Sequence, residues 1–395
     1  MAQNDVTFPQ GFRAWGLSCG IKKNGKPDLG VLISNPPAQI FGALTGNSVK
    51  AAPVLYCRSI LDSGKRVTHV LVNSGNANAC TGDRGYADVL SEVEALREFG
   101  KPAGEVMVSS TGVIGEYLPM EKLRLGIERL FAEEAKSGPF INAIMTTDTF
   151  EKKAQISLHL DGKEVRIGGV AKGAGMIRPD MATMLAYITT DLDLEVGYRE
   201  RFLDNVQKSF NSISVDGDMS TNDTVLLLAN GTSGVRYAGL SPEARQTFDV
   251  GLQGIMQDLA KNIIRDGEGA TKLVTIDVVG AASLEDARLV CRAIANSPLV
   301  KTAFFGGDAN WGRVLAAAGS SGAKLVPDKL ALEFCGVKVM AKGGATSYSE
   351  DDLAERMKAR DVSVKVDLGL GTAAWTYWTC DLSYDYVKIN AAYRT

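Results

Sequence analysis

An antiparallel hairpin within a series of alternating helix and strand patterns is the strongest constraint on the fold. Apolar residues alternate with polar ones over Ile156–Leu160 and again over Val165–Gly169, on either side of the turn pair Asp161-Gly162. Such a pair between two alternating runs predicts a β-hairpin. Because a hairpin makes neighbouring strands antiparallel, the pattern argues against a purely parallel sheet. We therefore predict an α/β protein with mixed α+β layers.

Helical periodicity occurs on both sides of this hairpin. Apolar residues at three- and four-residue spacing predict helices that end at Gly100, begin at Pro119, contain Phe202 to Phe210 and begin at Pro242. Ser283 and Ser349 are each followed three residues later by Asp, which predicts capped helices near 284–296 and 350–360. Strands are predicted at 105–109, 184–190, 224–229, 272–279 and 362–368.

Composition argues against several classes of function. With 43 Lys and Arg against 46 Asp and Glu, the formal net charge of -3 argues against a nucleic-acid-binding surface. No apolar run approaches the roughly 20 residues that span a bilayer, and the first residues lack a signal-peptide pattern, so we expect a cytoplasmic protein without membrane contact. The two histidines, His69 and His159, supply neither a zinc site nor a Ser-His-Asp triad, so no metal is expected.

A glycine-rich loop leads directly into a predicted strand near Thr183. The segment Ala171–Leu185 contains three glycine or proline positions before Ala182-Thr183. A Thr hydroxyl that attacks its own preceding carbonyl cleaves the chain and exposes an α-amine, whose reference pKa is about 7.7–8.0. That amine can act as general base for the hydroxyl without any histidine. On composition alone, a simple turn before a strand is the commoner meaning of this pattern.

Two polar segments follow predicted strands in the first third of the chain. Ser109–Gly115 contains small residues that could aim N–H and hydroxyl donors at an oxyanion, or form a plain strand-to-helix connection. Val72–Gly82 contains three Asn and two Gly, which suit either a polar pocket or tight turns. Cys80 with His69 as its base is a further candidate nucleophile, but a structural thiol is favoured.

Three later segments also have two interpretations each. Val215–Thr224 contains three Asp residues, which suit magnesium but more often form turns. Gly307–Arg313 has the outline of a phosphate loop but lacks its Lys-Ser/Thr ending, so nucleotide binding is rejected. Asp266–Lys272 carries Glu268 between glycines, where it would meet a substrate amine or be a solvated residue at a helix end.

By their residues and by their order along essentially the whole chain, these and further segments resemble those of the ornithine acetyltransferase (glutamate N-acetyltransferase, ArgJ) family. This resemblance implies a two-domain ArgJ/DmpA-like sandwich fold that cleaves itself into α and β chains. The matching segments are Asn73–Gly82, Ser110–Gly115, Met145–Phe150, Lys172–Ile177, Met181–Met184, Asp216–Asp218, Ser220–Thr224, Asp266–Lys272, Gly307–Arg313 and Asp385–Thr395.

The resemblance also implies roles for single residues. Thr183 is the nucleophile, freed by cleavage after Ala182, so that an α chain of 1–182 and a β chain of 183–395 (395 − 182 = 213 residues) result. Thr111 and Gly112 donate to the oxyanion. Asp180 departs from the Asn expected there, and its carboxylate could alter the cleavage rate. The implied substrate contacts are Thr146 (with Thr147 as its alternative), Lys172, Thr183, Glu268, Asn390 and Thr395.

The activity implied by the resemblance is an acyltransferase of arginine biosynthesis. It moves the acetyl group of N-acetylornithine to glutamate in a ping-pong reaction through acetyl-threonine, with Lys172 toward a substrate carboxylate and Glu268 toward an ammonium group. No cofactor is implied, although acetyl-CoA is a candidate co-substrate, and specialised acyl-ornithines remain open as donors. The α and β chains are expected to form an αβ heterotetramer or a larger assembly. The alternatives are a self-processed aminopeptidase or amidase of the N-terminal-nucleophile kind, and an uncleaved amino-acid-binding protein.

Overall fold

The chain forms two compact units, each built on one large mixed sheet. The computed structural model describes residues 5–132, 138–178 and 184–392. The first unit takes in the described residues up to Asn211 together with Asp218–Ile263, and the second takes in Ser212–Gly217 and the described residues from Ile264 onward. Within the described residues, no helix combines the length and the apolar composition needed to cross a membrane.

The sheet of the first unit has eight strands in the order β4-β3-β2-β9-β7-β6-β5, with β1 paired to β2 beside this path. Most neighbours are antiparallel, whereas β3 with β4 and β7 with β9 are parallel. The long strand β2 pairs with β3 through its first half and with β9 through its second half. The strands are β1 (Phe12–Leu17), β2 (Leu29–Leu44), β3 (Val67–Asn76), β4 (Glu105–Val113), β5 (Lys152–Leu160), β6 (Lys163–Lys172), β7 (Leu185–Thr190) and β9 (Thr224–Ala229).

Helices cover this sheet because each presents an apolar stripe to it. Helix α6 buries Phe248, Leu252 and Leu259, and a Cβ on Gly169 of β6 would lie 2.9 Å from the Leu259 side chain. Burying one such side chain stabilises the fold by about 1.5–3 kcal/mol. The helices are α1 (Ala52–Ser63), α2 (Gly82–Gly100), α3 (Met120–Ala132), α4 (Phe140–Ile144), α5 (Arg199–Gln207) and α6 (Pro242–Arg265), whose last two residues belong to the second unit.

The second unit contains a seven-stranded sheet in the order β13-β12-β11-β14-β10-β15-β8. Helix α7 packs its buried side chains Val290, Cys291 and Ile294 against β10 and β15. The strands are β8 (Ile213–Ser214), β10 (Leu273–Ala281), β11 (Ala331–Phe334), β12 (Val337–Ala341), β13 (Gly344–Ala345), β14 (Asp361–Asp367) and β15 (Ala373–Cys380). The helices are α7 (Leu284–Ala295), α8 (Pro298–Phe305), α9 (Trp311–Gly319), α10 (Glu350–Met357) and α11 (Tyr384–Ala392).

The predicted hairpin and the mixed α/β fold class are confirmed. β5 and β6 pair antiparallel from Lys152 opposite Ala171 to Leu160 opposite Lys163. The turn residues Asp161 and Gly162 both have positive φ, 47° and 81°. Two-residue hairpin turns favour such angles because they match the right-handed twist of the flanking strands.

Two predicted helix ends are wrong by several residues. The helix expected to reach Phe210 ends at Gln207, and Phe210 instead begins a short 3-10 helix, Phe210–Ser212. The helix predicted over 350–360 ends at Met357, because β14 already begins at Asp361. Periodicity locates the buried face of a helix better than it locates the last turn, where the hydrogen-bond ladder frays.

Candidate active site

The end of strand β4 carries the predicted oxyanion donors Thr111 and Gly112. β3 and β4 pair in parallel, with Ser74 opposite Thr111 and Gly75 opposite Gly112. Gly112 has φ of 134°, and a Cβ at this position would lie 2.3 Å from the carbonyl carbon of Gly75. Only glycine permits this close approach, because a side chain would collide with the backbone of the neighbouring strand.

The predicted substrate-binding residue Lys172 lies against Thr111. It is the last residue of β6, and its Nζ donates to the Thr111 Oγ1 at 3.0 Å, with both residues 2% exposed. A threonine hydroxyl has one hydrogen and two lone pairs. By accepting from Lys172, Thr111 keeps its hydrogen for donation to an acceptor such as an oxyanion.

The buried carboxylate of Asp148 joins the end of β6 to the loop that carries Thr146. Oδ1 accepts from the Lys152 Nζ at 2.6 Å and from the Gly173 N–H at 2.7 Å, while Oδ2 accepts from the Thr146 N–H at 2.9 Å. Neither side chain of the Asp148–Lys152 pair has exposed surface. Burial raises the pKa of Asp148, but the charges of Lys152 and Lys172 outweigh it and bring this pKa to about 2.

The loop after α4 is fixed through its main chain. Besides the bond from the Thr146 amide to Asp148, the carbonyl of Met145 accepts from the Lys22 Nζ at 2.7 Å. Burial is the main cause that lowers the pKa of Lys22 to about 8. Thr146 and Thr147 are both half-buried on this loop, so the choice between their hydroxyls as a substrate contact stays a prediction.

Asn222 connects three of the sequence motifs. Its side-chain Nδ2 donates to the carbonyl of Ala77 at 2.6 Å and to the carbonyl of Ser110 at 2.9 Å. Ser110 in turn donates through Oγ to the Asn73 Oδ1 at 2.6 Å. Asn222 thereby fixes the peptide group that precedes Thr111. The motif Ser220–Thr224 is recognisable in the sequence, but no role for Asn222 follows from it, because nothing near this residue in sequence indicates its distant partners.

Beyond the segment 179–183, the described chain continues at Met184, which Asp223 and Thr224 hold from both sides. The Met184 N–H donates to the Asp223 Oδ1 at 2.9 Å, and the Met184 carbonyl accepts from the Thr224 N–H at 3.1 Å. Asp223, interpreted from the sequence as turn-forming, is instead a fully buried carboxyl group. Four predicted positions lie outside the described residues: Asp180, Ala182, Thr183 and Thr395.

In the second unit, the predicted substrate contacts Glu268 and Asn390 lie together. The Asn390 Nδ2 donates to the Glu268 Oε2 at 2.9 Å. The loop that carries Glu268 is held next to the start of α11, where the Ser383 Oγ donates to the carbonyl of Gly269 at 2.6 Å. Glu268 is therefore part of a carboxylate–amide pair and not a lone solvated side chain.

The alternative pair of Cys80 and His69 receives no support. His69 is buried in β3 with its ring 6.0 Å from that of Phe131, and burial lowers the pKa of His69 to about 4. Cys80 is an exposed residue with φ of 58° in the turn after this strand. For the ranges that the structure describes, no three His, Cys, Asp or Glu side chains form a group able to hold a metal ion.

Comparison with known proteins identifies the family. A sequence profile of the ArgJ family matches residues 13–395. The arginine biosynthesis bifunctional protein ArgJ of Listeria monocytogenes serotype 4b (strain F2365) is 41% identical over 399 residues, which cover 100% of each chain. The protein of the same name from Geobacter sulfurreducens is 47% identical over 394 residues, which cover 98% of this chain and 99% of its own.

A solved structure agrees with these sequence relatives. The crystal structure of the arginine biosynthesis bifunctional protein argJ from Bacillus halodurans matches with a TM-score of 0.50 and 39% identity, covering 52% of this chain and 98% of that chain. Since 52% of 395 residues is about 205 residues, the crystallised chain is about half as long as this one. The resemblance found in the sequence is thus confirmed, and the chain belongs to the ArgJ family.

Proposed function

We propose that this protein is a self-cleaving acetyltransferase that moves the acetyl group of N-acetylornithine to glutamate, giving ornithine and N-acetylglutamate. The relatives of this chain are named arginine biosynthesis bifunctional protein ArgJ. The proposal accordingly includes a role in arginine biosynthesis. The second activity that we propose is acetylation of glutamate by acetyl-CoA.

The observation that carries the proposal is the convergence of three parts of the chain: the end of β4 with Thr111 and Gly112, Lys172, and strand β7, which follows Thr183. Lys172 donates to the Thr111 hydroxyl, and Asn222 donates to the carbonyl of the preceding residue, Ser110. The residue next to Asn222, Asp223, binds the amide of Met184. Residue 183 directly precedes Met184 in the chain. It is therefore linked through Asp223 and Asn222 to the residue before the proposed oxyanion donor Thr111.

The first proposed reaction is cleavage of the chain. The Thr183 Oγ attacks the carbonyl carbon of Ala182, and the O–H proton passes to the departing amide nitrogen. This step breaks the C–N bond, frees the α-amine of Thr183 and leaves an ester between Ala182 and the Thr183 oxygen. Water then hydrolyses the ester to a carboxylate on Ala182 and the regenerated hydroxyl of Thr183. Thr111 and Gly112 donate hydrogen bonds to the oxyanion, an interaction whose removal costs about 10²–10³ in rate in a well-studied hydrolase.

The second reaction uses the α-amine that cleavage creates. This amine accepts the Thr183 hydroxyl proton while Oγ attacks the acetyl carbonyl of N-acetylornithine, and the proton then passes to the leaving amine of ornithine. The α-amine of glutamate attacks the acetyl ester, which regenerates the hydroxyl and releases N-acetylglutamate. Exclusion of water between the two half-reactions separates transfer from hydrolysis.

Charged side chains provide the proposed recognition of the amino-acid substrates. Asp148 binds the N–H of Gly173, next to Lys172, and the N–H of Thr146, and Lys172 and the Thr146 loop would orient a substrate carboxylate through charge-assisted hydrogen bonds. Glu268 with Asn390 would receive a substrate ammonium group, and Thr395 is proposed as a further contact. These roles extend to this chain from the family resemblance, supported by the contacts of the described residues.

The order of the strands supports continued association of the two proposed chains after cleavage. β6 belongs to the α chain and β7 to the β chain, yet they pair antiparallel over six residue pairs, from Ile167–Thr190 to Lys172–Leu185. β9 of the β chain pairs in turn with β2 of the α chain. The half-length crystallised relative is consistent with such a division. Assembly into an αβ heterotetramer or larger, and a cytoplasmic location, belong to the same proposal.

The test is intact mass and N-terminal sequencing of the wild type, of Thr183→Ala and of Thr247→Ala. Thr247 provides a matched control, because it is an exposed threonine on α6. The wild type and Thr247→Ala should each yield two chains, the second beginning Thr183-Met184-Leu185. Thr183→Ala should stay intact and lose acetyl transfer by roughly 10³-fold or more.

Product analysis then separates transfer from hydrolysis. N-acetylornithine labelled in the acetyl group is supplied with and without glutamate, and acetyl-CoA replaces it as donor in a parallel reaction. Labelled N-acetylglutamate that forms only with glutamate supports the acetyltransferase. Free labelled acetate at equal rates in both reactions would identify an amidase instead, and an active, cleaved Thr183→Ala variant would remove the nucleophile from the proposal.

A further inference from the structure

Asp223 is a buried carboxyl group that has no role in the proposed reactions. Its side chain is fully buried directly before β9, and Oδ1 accepts the Met184 N–H at 2.9 Å. Among the residues that the structure describes, no donor reaches its Oδ2. The hydroxyl of nearby Thr45 donates to the carbonyl of Ser220 at 2.8 Å.

Comparison with Asp148 in the same unit indicates the protonation state of Asp223. The carboxylate of Asp148 accepts from two backbone N–H groups and forms an ion pair with Lys152 at 2.6 Å. Asp223 has one backbone donor and no comparable ion pair among the described residues. A buried carboxyl with so few donors is more stable neutral than charged. Consistently, burial raises the pKa of Asp223 well above its ordinary range, although hydrogen bonds from Met184 and Thr45 and the charge of Lys172 oppose this.

The hydrogen bond from Met184 to Asp223 lies next to the proposed nucleophile in the chain. The nitrogen of Met184 is covalently bonded to the carbonyl carbon of Thr183, and a peptide group is planar. A hydrogen bond that fixes the Met184 N–H therefore fixes the plane of the peptide group directly after residue 183. The Thr224 N–H holds the carbonyl of Met184 at 3.1 Å, so Met184 is restrained on both sides.

We propose that neutral Asp223 is a positioning residue, which orients the peptide group after Thr183 for both self-cleavage and acetyl transfer. This inference rests on the proposed function, since it needs Thr183 to be the nucleophile. Asp223 acts through Met184 and supplies an acceptor at a fixed place. Its negative charge is not required. Misplacing a reacting group by about 1 Å can cost about 10²-fold in rate.

The test compares Asp223→Asn, Asp223→Glu and Asp223→Ala with the wild type. Asn retains an acceptor at the same distance from the backbone and has no charge, so its rates of cleavage and transfer should stay within about threefold of wild type. Glu retains the acid but moves the acceptor by one methylene. Glu and Ala should each slow cleavage and lower kcat by about 10–100-fold with little change in KM. The Asn and Glu variants decide between geometry and charge even where Ala does not fold.

Glu92→Ala is the matched control. Glu92 is 1% exposed on α2, and both of its carboxyl oxygens, like Oδ2 of Asp223, have no hydrogen-bond partner among the described residues. Its substitution should leave the cleavage rate and kcat unchanged. Wild-type rates in Asp223→Ala, or an Asn variant as slow as Glu, would overturn the role of Asp223. A wild-type β chain that does not begin at Thr183 would instead overturn the proposed function, before any Asp223 variant is compared.

Discussion

The Asp148–Lys152 ion pair provides the sharpest test of how the candidate site is held together. Both side chains are fully buried, and the Asp148 carboxylate also accepts from Thr146 and Gly173. Lowering the pKa of Asp148 from 3.8 to about 2 corresponds to about 2 kcal/mol of stabilisation. Asp148→Asn removes the negative charge that faces the buried Lys152 ammonium. Breaking a buried pair in this way costs about 3–5 kcal/mol, which is the loss in unfolding free energy that we expect.

Asp204→Asn provides a closely matched control. Asp204 and Lys208 are also four residues apart with the same N–O distance of 2.6 Å, but their side chains are 56% and 41% exposed. Exposed pairs of this kind contribute about 0.3–0.5 kcal/mol. Urea denaturation at pH 7, followed by far-UV circular dichroism, measures the free energy of unfolding of the three proteins. Equal losses in the two variants would refute the conclusion that burial makes the Asp148 pair important.

The difference in unfolding free energy between the wild type and Asp148→Asn should also depend on pH. Because the folded-state pKa of Asp148 is depressed, its contribution is fully present above about pH 3.8 and is lost as the pH falls toward 2. The difference between wild type and Asp148→Asn should therefore shrink over this window. A difference that is constant from pH 5 to pH 2 would show that the stabilisation does not depend on ionisation of this carboxyl.

Two further substitutions test the end of β4, which carries the proposed oxyanion donors, and a buried acid on α2. Gly112→Ala should destabilise the protein and slow acetyl transfer, because the added Cβ would collide with the backbone of Gly75. Gly115→Ala is the control: φ is 83° there, but no atom lies within 4 Å of the Cβ position, so only about 1–3 kcal/mol of backbone strain is expected. Thermal unfolding and transfer rates of both variants check this, and equal losses would contradict it. Burial raises the pKa of Glu92 from 4.5 to about 8, so its stabilising state is fully present below pH 4.5 and lost as the pH rises through 8. Glu92→Gln should therefore exceed the wild type in unfolding free energy at pH 9 by about 2 kcal/mol or more but not at pH 4, as urea denaturation at both pH values would reveal.

Local signals in the sequence predicted individual elements well. The turn pair Asp161-Gly162 and the apolar stripe of α6 depend on residues within a few positions of one another, and both predictions are confirmed. The strand β2 was missed for an equally local reason. Its centre contains Pro36 and Pro37, which are typical of turns. In the structure, β2 continues through these residues and changes its pairing partner there from β3 to β9.

The sequence by itself determined the fold class, the family and the motifs that carry the proposed chemistry. The tertiary structure decided which motifs meet. Lys172 binds Thr111 across 61 positions, and Asn222 binds the carbonyl of Ser110 across 112 positions. Neither contact leaves a trace in local periodicity, because it depends on the order of strands in the sheet. Asp148 and Asp223 likewise resemble ordinary loop acids in the sequence, but in the structure their surroundings lower the pKa of Asp148 and raise that of Asp223.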